Sequence, residues 1–211
     1  ADGKLRQSEA FQGDMSLVKV WKVARDPMQV FQDMTSGVPE MDMVAFFRFD
    51  TAAMKDDSSP APVTTGEEAP AGQAGPYKLT MSDGTVGSEF DWDLRAIKKP
   101  ATLGTPKAIK MLGSTISFAK RSASAVAGMG KTAITVEMWI KTNDGAKRGA
   151  SDMATLFSFS RDSGDSGDEL SLTSPSNLRG TVGGQAYKSP VDVADGKWHH
   201  VAWTWDNGVG A

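Results

Sequence analysis

The chain has 211 residues, enough for one sizeable core in one domain, and its 39% hydrophobic and 23% charged residues are those of a soluble globular protein. With 22 Gly and 10 Pro it is rich in turns, which favours β over α structure, and a formal charge of −3 offers no basic field for nucleic acid, which is not expected as a partner. Cys is absent, which excludes disulfides and thiolate metal sites but leaves the compartment open.

The longest apolar runs are too short to span a bilayer, so no membrane insertion is expected, and the opening "ADGKLRQSEA" lacks the apolar centre of a signal peptide. The chain reads as soluble, and as a mature or excised piece.

In chain order, "MSLVKVW" is a strand with Val18 and Val20 on one face. Asp26 followed by Pro27 starts a helix: the carboxylate accepts the first free N–H groups, and Pro at the first helical position sacrifices no bond. A short helix through Met28, Phe31 and Met34 follows and closes at "TSGVP". "MDMVAFFRFD" is a strand with both faces partly covered, Met43, Ala45, Phe47 and Phe49 alternating against Val44, Phe46 and Arg48. Residues 56–76 hold one aliphatic residue larger than Ala and no aromatic, too little to offset the entropy of ordering, and read as a flexible insertion.

Beyond the insertion lie "YKLTM", "AIKMLGSTISFA", "AITVEMWIKT", "TLFSFS", "ELSLTS", "LRGTVGG" and "HHVAWTW", short β runs separated by turn residues. In "AITVEMWIKT", Ile134, Val136, Met138 and Ile140 form a core face, with Thr135, Glu137, Trp139 and Lys141 opposite. The expected fold is all-β, an antiparallel sandwich or jelly roll with one short helix near 27–34.

The order of these motifs resembles the laminin G-like, pentraxin-like domains of the concanavalin A-like jelly-roll superfamily over most of residues 41–211. The most specific parts are the "VEMWIKT" and "GKWHHVAWTWD" strands, about 60 residues apart. Residues 1–36 look like the family's C-terminal segment, with Asp2-Gly3 as a hairpin turn, Trp21 closing a strand and Asp26-Pro27 capping the helix. The resemblance therefore implies that 1–36 and 37–211 are two parts of laminin G-like units, completed within one chain or between neighbouring copies. Ser16 and Leu17 replace the acidic pair usual in the family's strand, and "DDSSPAP" replaces its Asp-Ser-Ser-Gly loop, so the departures fall on the family's metal and ligand contacts.

Three features carry candidate chemistry. Asp162, Asp165 and Asp168 recur every third residue in a Gly-rich loop and read either as a solvated hairpin tip or as oxygen ligands for Ca²⁺. Glu89, Asp91 and Asp93 alternate as the carboxylates of jelly-roll glycoside hydrolases do, but without a final Glu, and no enzymatic activity is expected. His199 and His200 face opposite sides of a strand and cannot chelate one metal; Trp139, Trp203 and Trp205 are core candidates before sugar-stacking ones. Ser58, Ser59, Thr64 and Thr65 sit among prolines as sites for O-linked sugar. No Asn-x-Ser/Thr sequon exists.

Two functions follow. The preferred one is a non-catalytic extracellular or cell-surface structural module, a repeat or filament protomer joined head to tail to copies of itself, because a chain that starts and stops inside one sheet leaves edges that recruit strands. The alternative is an adhesive, lectin-like domain that binds glycans, with or without Ca²⁺.

Overall fold

The computed structural model describes residues 11–34, 36, 40–47, 80–81, 85–89, 107–112, 119–120, 132–143, 154–159 and 170–208. They contain twelve strands and one helix. The strands are β1 (Gln12–Trp21), β2 (Met43–Phe47), β3 (Thr80–Met81), β4 (Thr85–Glu89), β5 (Lys107–Leu112) and β6 (Ala119–Lys120), followed by β7 (Ala133–Lys141), β8 (Thr155–Phe159), β9 (Leu170–Thr173), β10 (Arg179–Val182), β11 (Gln185–Lys188) and β12 (Trp198–Asp206); the helix is α1 (Pro27–Asp33).

All described pairings are antiparallel. One sheet runs β12-β7-β1-β5-β4, with β2 also on β1; a second runs β11-β10-β9-β8; β3 and β6 form a small third pair. The fold is the all-β sandwich with one short helix that the sequence predicts.

β1 organises the six-stranded sheet. One of its edges pairs with β7, while the other pairs with β5 through residues 12–15 and with β2 through residues 18–21. On the far side of β7, β12 holds an unbroken register of nine residues, from Trp198 opposite Lys141 to Asp206 opposite Ala133.

The main core lies between the sheets. Ile134, Val136, Met138 and Ile140 of β7 enter it with Met15, Val18 and Val20 of β1 and Val201 of β12, and they meet Leu156, Leu170 and Leu172 from the smaller sheet. Alternation alone cannot place Met15 and Val18 on the same face. Leu17 does so by adopting φ 48°, a left-handed conformation at an irregularity in the β1–β7 register that reverses the side-chain parity. A second irregularity, between Val20 and Trp21 opposite β2, does the same there: Met43 shares a face with Phe46, whereas strict alternation pairs it with Phe47.

The opposite face of this sheet is buried as well, around Leu17, Trp21, Met43, Phe46, Ala108, Trp139 and Trp198. The period-two pattern of β7 identifies its inner face, and the outer one follows the same alternation but is covered too: Thr135, Glu137 and Trp139 are all buried.

α1 helps to cover that face. It begins as the sequence indicates: the Asp26 carboxylate accepts from the Gln29 N–H at 2.9 Å, the Gln29 side chain accepts from the Asp26 N–H at 3.0 Å, and Pro27 takes the first turn. Its docking is polar rather than apolar. Met28 and Phe31 are exposed, while Asp33 is buried and ion-paired to Arg25. The helix C-terminus is held by donors from the sheet: the Lys19 ammonium donates to the Asp33 carbonyl, and the Trp139 indole N–H donates to the Met34 carbonyl at 2.7 Å.

Two glycine positions shape the smaller sheet. Gly183 (φ 51°) and Gly184 (φ 81°) form the two-residue turn joining β10 to β11, where both positions need a left-handed backbone. At Gly180 a Cβ would stand 2.5 Å from the Trp203 ring, so glycine is what lets the indole of the other sheet lie on the β10 backbone.

Candidate functional site

Two features stand out, a groove beside β12 and a buried charge cluster beneath it. The groove, a cavity of about 330 Å³, lies where β10 and β11 approach β12. Leu172, Leu178 and Val193 supply apolar wall, Trp203 and the exposed Tyr187 supply aromatic surface, and Lys188 and Ser189 supply polar groups. Such a lining suits a ligand with an apolar face and a few hydrogen-bonding groups.

His200 belongs to the cluster, on the opposite face of β12 from Val201 and Trp203. Its Nε2 lies 2.8 Å from Glu137 Oε2, and its ring centroid is 5.3 Å from that of Trp139. The other Glu137 oxygen is 3.6 Å from Lys19 Nζ. Glu137 and Lys19 are 0% and 1% exposed, so this is an ion pair inside the protein, on the face of β7 that the sequence leaves outside the main core. Among the described residues neither Glu137 oxygen accepts a hydrogen bond of good geometry, so the carboxylate is held by charge more than by directed bonds.

Lys19 also faces Trp21 and Phe46, with its ammonium 5.7 and 5.6 Å from their ring centroids. Burial pushes its pKa below the ordinary lysine value, against Glu137 and Glu40, which pull it upward. The Arg25 guanidinium is 4.8 Å from the same indole and bridges Asp33 and Glu40, the latter at 3.0 Å.

His199 points to the other side of β12, as its neighbour's opposite orientation requires. Its Nε2 lies 2.7 Å from Asp195 Oδ1, which also accepts from the Lys197 N–H at 2.9 Å in the turn before β12. The hydrogen bond from His199 and then that from Lys197 bring the Asp195 carboxyl down to about 2.

Trp139 is buried, and Trp203 and Trp205 pack partly buried against the main core. Asp162, Asp165 and Asp168, together with Ser58, Ser59, Thr64 and Thr65, lie outside the described residues. So do Asp91 and Asp93, while Glu89 ends β4. Among the described residues no group of three or more His, Cys, Asp or Glu side chains is placed to hold a metal, and no helix is long and apolar enough to cross a membrane.

Sequence reasoning missed the Lys19–Glu137–His200 cluster. Its signal was present: "LVKVW" and "TVEMW" each place a lone charge, of opposite sign, two residues before a Trp. That the two meet depends on the antiparallel pairing of β1 and β7, which sets Lys19 opposite Glu137.

No curated protein and no solved structure matches the chain. The sequence profile of the concanavalin A-like lectin/glucanases superfamily, in its laminin G-like form, matches residues 117–211. That segment carries β6 to β12, including every residue that lines the groove and both His200 and Glu137. The match over residues 117–211 and the two-sheet antiparallel sandwich together support the likeness of the chain to the laminin G-like domains of the concanavalin A-like superfamily.

Proposed function

We propose that the chain is a non-catalytic module of an extracellular or cell-surface assembly, whose copies join head to tail by sharing strands. The observation that supports this is the place of β1. It lies between β7 on one side and β5 and β2 on the other, and its side chains enter both buried layers. A neighbour donating this strand would therefore be held by backbone hydrogen bonds and by core packing together. A head-to-tail exchange whose rotation does not close into a ring generates a filament. Laminin G-like domains are commonly extracellular, which supports the location.

Light scattering over a range of protein concentrations tests the assembly. The expected result is a mass above that of one 22.4 kDa chain, rising with concentration. A mass fixed at one chain at every concentration rejects it.

The groove supports a second reading, carbohydrate binding, because Tyr187 and Trp203 offer aromatic surface beside the polar groups of Lys188 and Ser189. Tyr187 is 59% exposed, so Tyr187→Ala leaves the core intact and should weaken retention on immobilised glycans by about tenfold, the loss of one stacking face. Equal retention of wild type and variant places any sugar elsewhere, and no retention of the wild type rejects this reading.

A further inference from the structure

Five large hydrophobic side chains are exposed among the described residues, and they fall into two groups. Met28 and Phe31 stand three residues apart on α1, so they share one outward face of the helix. Met41 is brought toward them from the turn before β2, because Glu40 beside it and Asp33 at the end of α1 both bind the Arg25 guanidinium. The other two, Tyr187 and Val191, stand on the wall of the groove beside β12. Single exposed hydrophobics are ordinary on a protein surface, whereas grouped ones mark places where another surface sits.

The two groups are opposite in shape and in sign. α1 is a ridge, apolar along Met28 and Phe31, with the exposed Asp26 carboxylate at its start. The groove is a concave slot of about 330 Å³, with Leu172 and Leu178 in its wall and Lys188 as its exposed positive charge. One chain cannot bring them together: α1 docks on the face of the six-stranded sheet that carries Trp139, whereas the groove opens where β12 meets the smaller sheet, so the six-stranded sheet stands between them.

We propose that the Met28–Phe31 ridge of one copy seats in the groove beside β12 of the next, its apolar face against the apolar wall and Asp26 toward Lys188. The contact joins unlike patches, so it is heterologous and leaves a free groove at one end of a pair and a free ridge at the other. It rests on the head-to-tail reading in that copies meet end to end, and it deepens that reading with a junction that needs no exchange of strands. A groove filled in this way is closed to a glycan, so assembly and glycan retention compete for it.

The test is sedimentation velocity of the whole chain for wild type, Phe31→Glu, Val191→Glu and an equimolar mixture of the two variants. Phe31 and Val191 are 64% and 50% exposed, so a glutamate at either position stays solvated in a single chain and the unfolding temperature should match that of the wild type. Each variant alone should raise the concentration needed for association by about tenfold or more, because it carries a charge into an apolar contact. The mixture should give a complex of two chains that neither variant gives alone, since the Phe31→Glu copy keeps its groove and the Val191→Glu copy keeps its ridge. Variants and mixture that associate as the wild type does would overturn the contact and leave strand sharing through β1 standing. Variants that lose association without pairing in the mixture would also overturn it. Association abolished by either variant and restored to a pair in the mixture upholds the contact while rejecting β1 as the element that joins copies, and a wild type that stays a single chain at every concentration rejects both.

Discussion

Lys19→Met, a change of similar length that adds apolar surface, should destabilise the protein by about 3–5 kcal/mol, because it leaves the Glu137 carboxylate buried with one partner fewer. Glu137→Leu should cost a similar amount by stranding the Lys19 ammonium between Trp21 and Phe46. The two changes together should recover most of the loss, and the double variant is expected near wild-type stability or above it. Replacing a fully buried pair with apolar groups removes the desolvation cost along with the attraction. The measurement is a double-mutant cycle by urea unfolding, in which a coupling energy of several kcal/mol is predicted. Additive losses would show that the two charges do not compensate one another. Since a domain is stable by only about 5–15 kcal/mol, either single variant should also express poorly, and this alone separates them from the double one.

The local parts of this architecture were open to reading from the sequence. β7 and β12 declare themselves by alternation and by β-branched and aromatic content, and both are observed, as are the Asp26 cap and the helix that it starts. The Gly183-Gly184 hairpin is equally local. What alternation could not show are the places where the backbone breaks its own period. Nothing in "MSLVKV" announces that Leu17 turns left-handed, yet that one residue sets Met15 beside Val18; nor does "MDMVAFF" announce the irregularity that brings Met43 to the face of Phe46.

The second buried face was hidden for a different reason. A strand between two covered layers and a strand with one wet face differ only in what lies above them. Here that cover comes from α1, whose apolar Met28 and Phe31 point outward while its last carbonyls dock on Lys19 and Trp139. Amphipathic patterning predicts docking through an apolar stripe and so gives no hint of this arrangement. The groove depends on long-range contacts too, since Tyr187 and Trp203 belong to different sheets.

The account rests on β1 being a required strand of the sandwich that another chain is able to supply. Deleting residues 1–24 removes the partner of β7, β5 and β2 in one step, together with Val18 and Val20 of the main core and Lys19 and Trp21 of the second buried face. The edges so exposed include that of β7, nine residues long, and an unprotected edge of that length pairs with other chains indiscriminately. The truncated chain should therefore aggregate, and a synthetic peptide of residues 1–24 added during refolding should return it to a soluble, cooperatively unfolding form. The direct measurement is sedimentation of the truncated chain with and without that peptide: aggregation alone and a soluble complex containing the peptide is the predicted pair of results, whereas a truncated chain that stays folded, soluble and as assembled as the whole one would contradict the account.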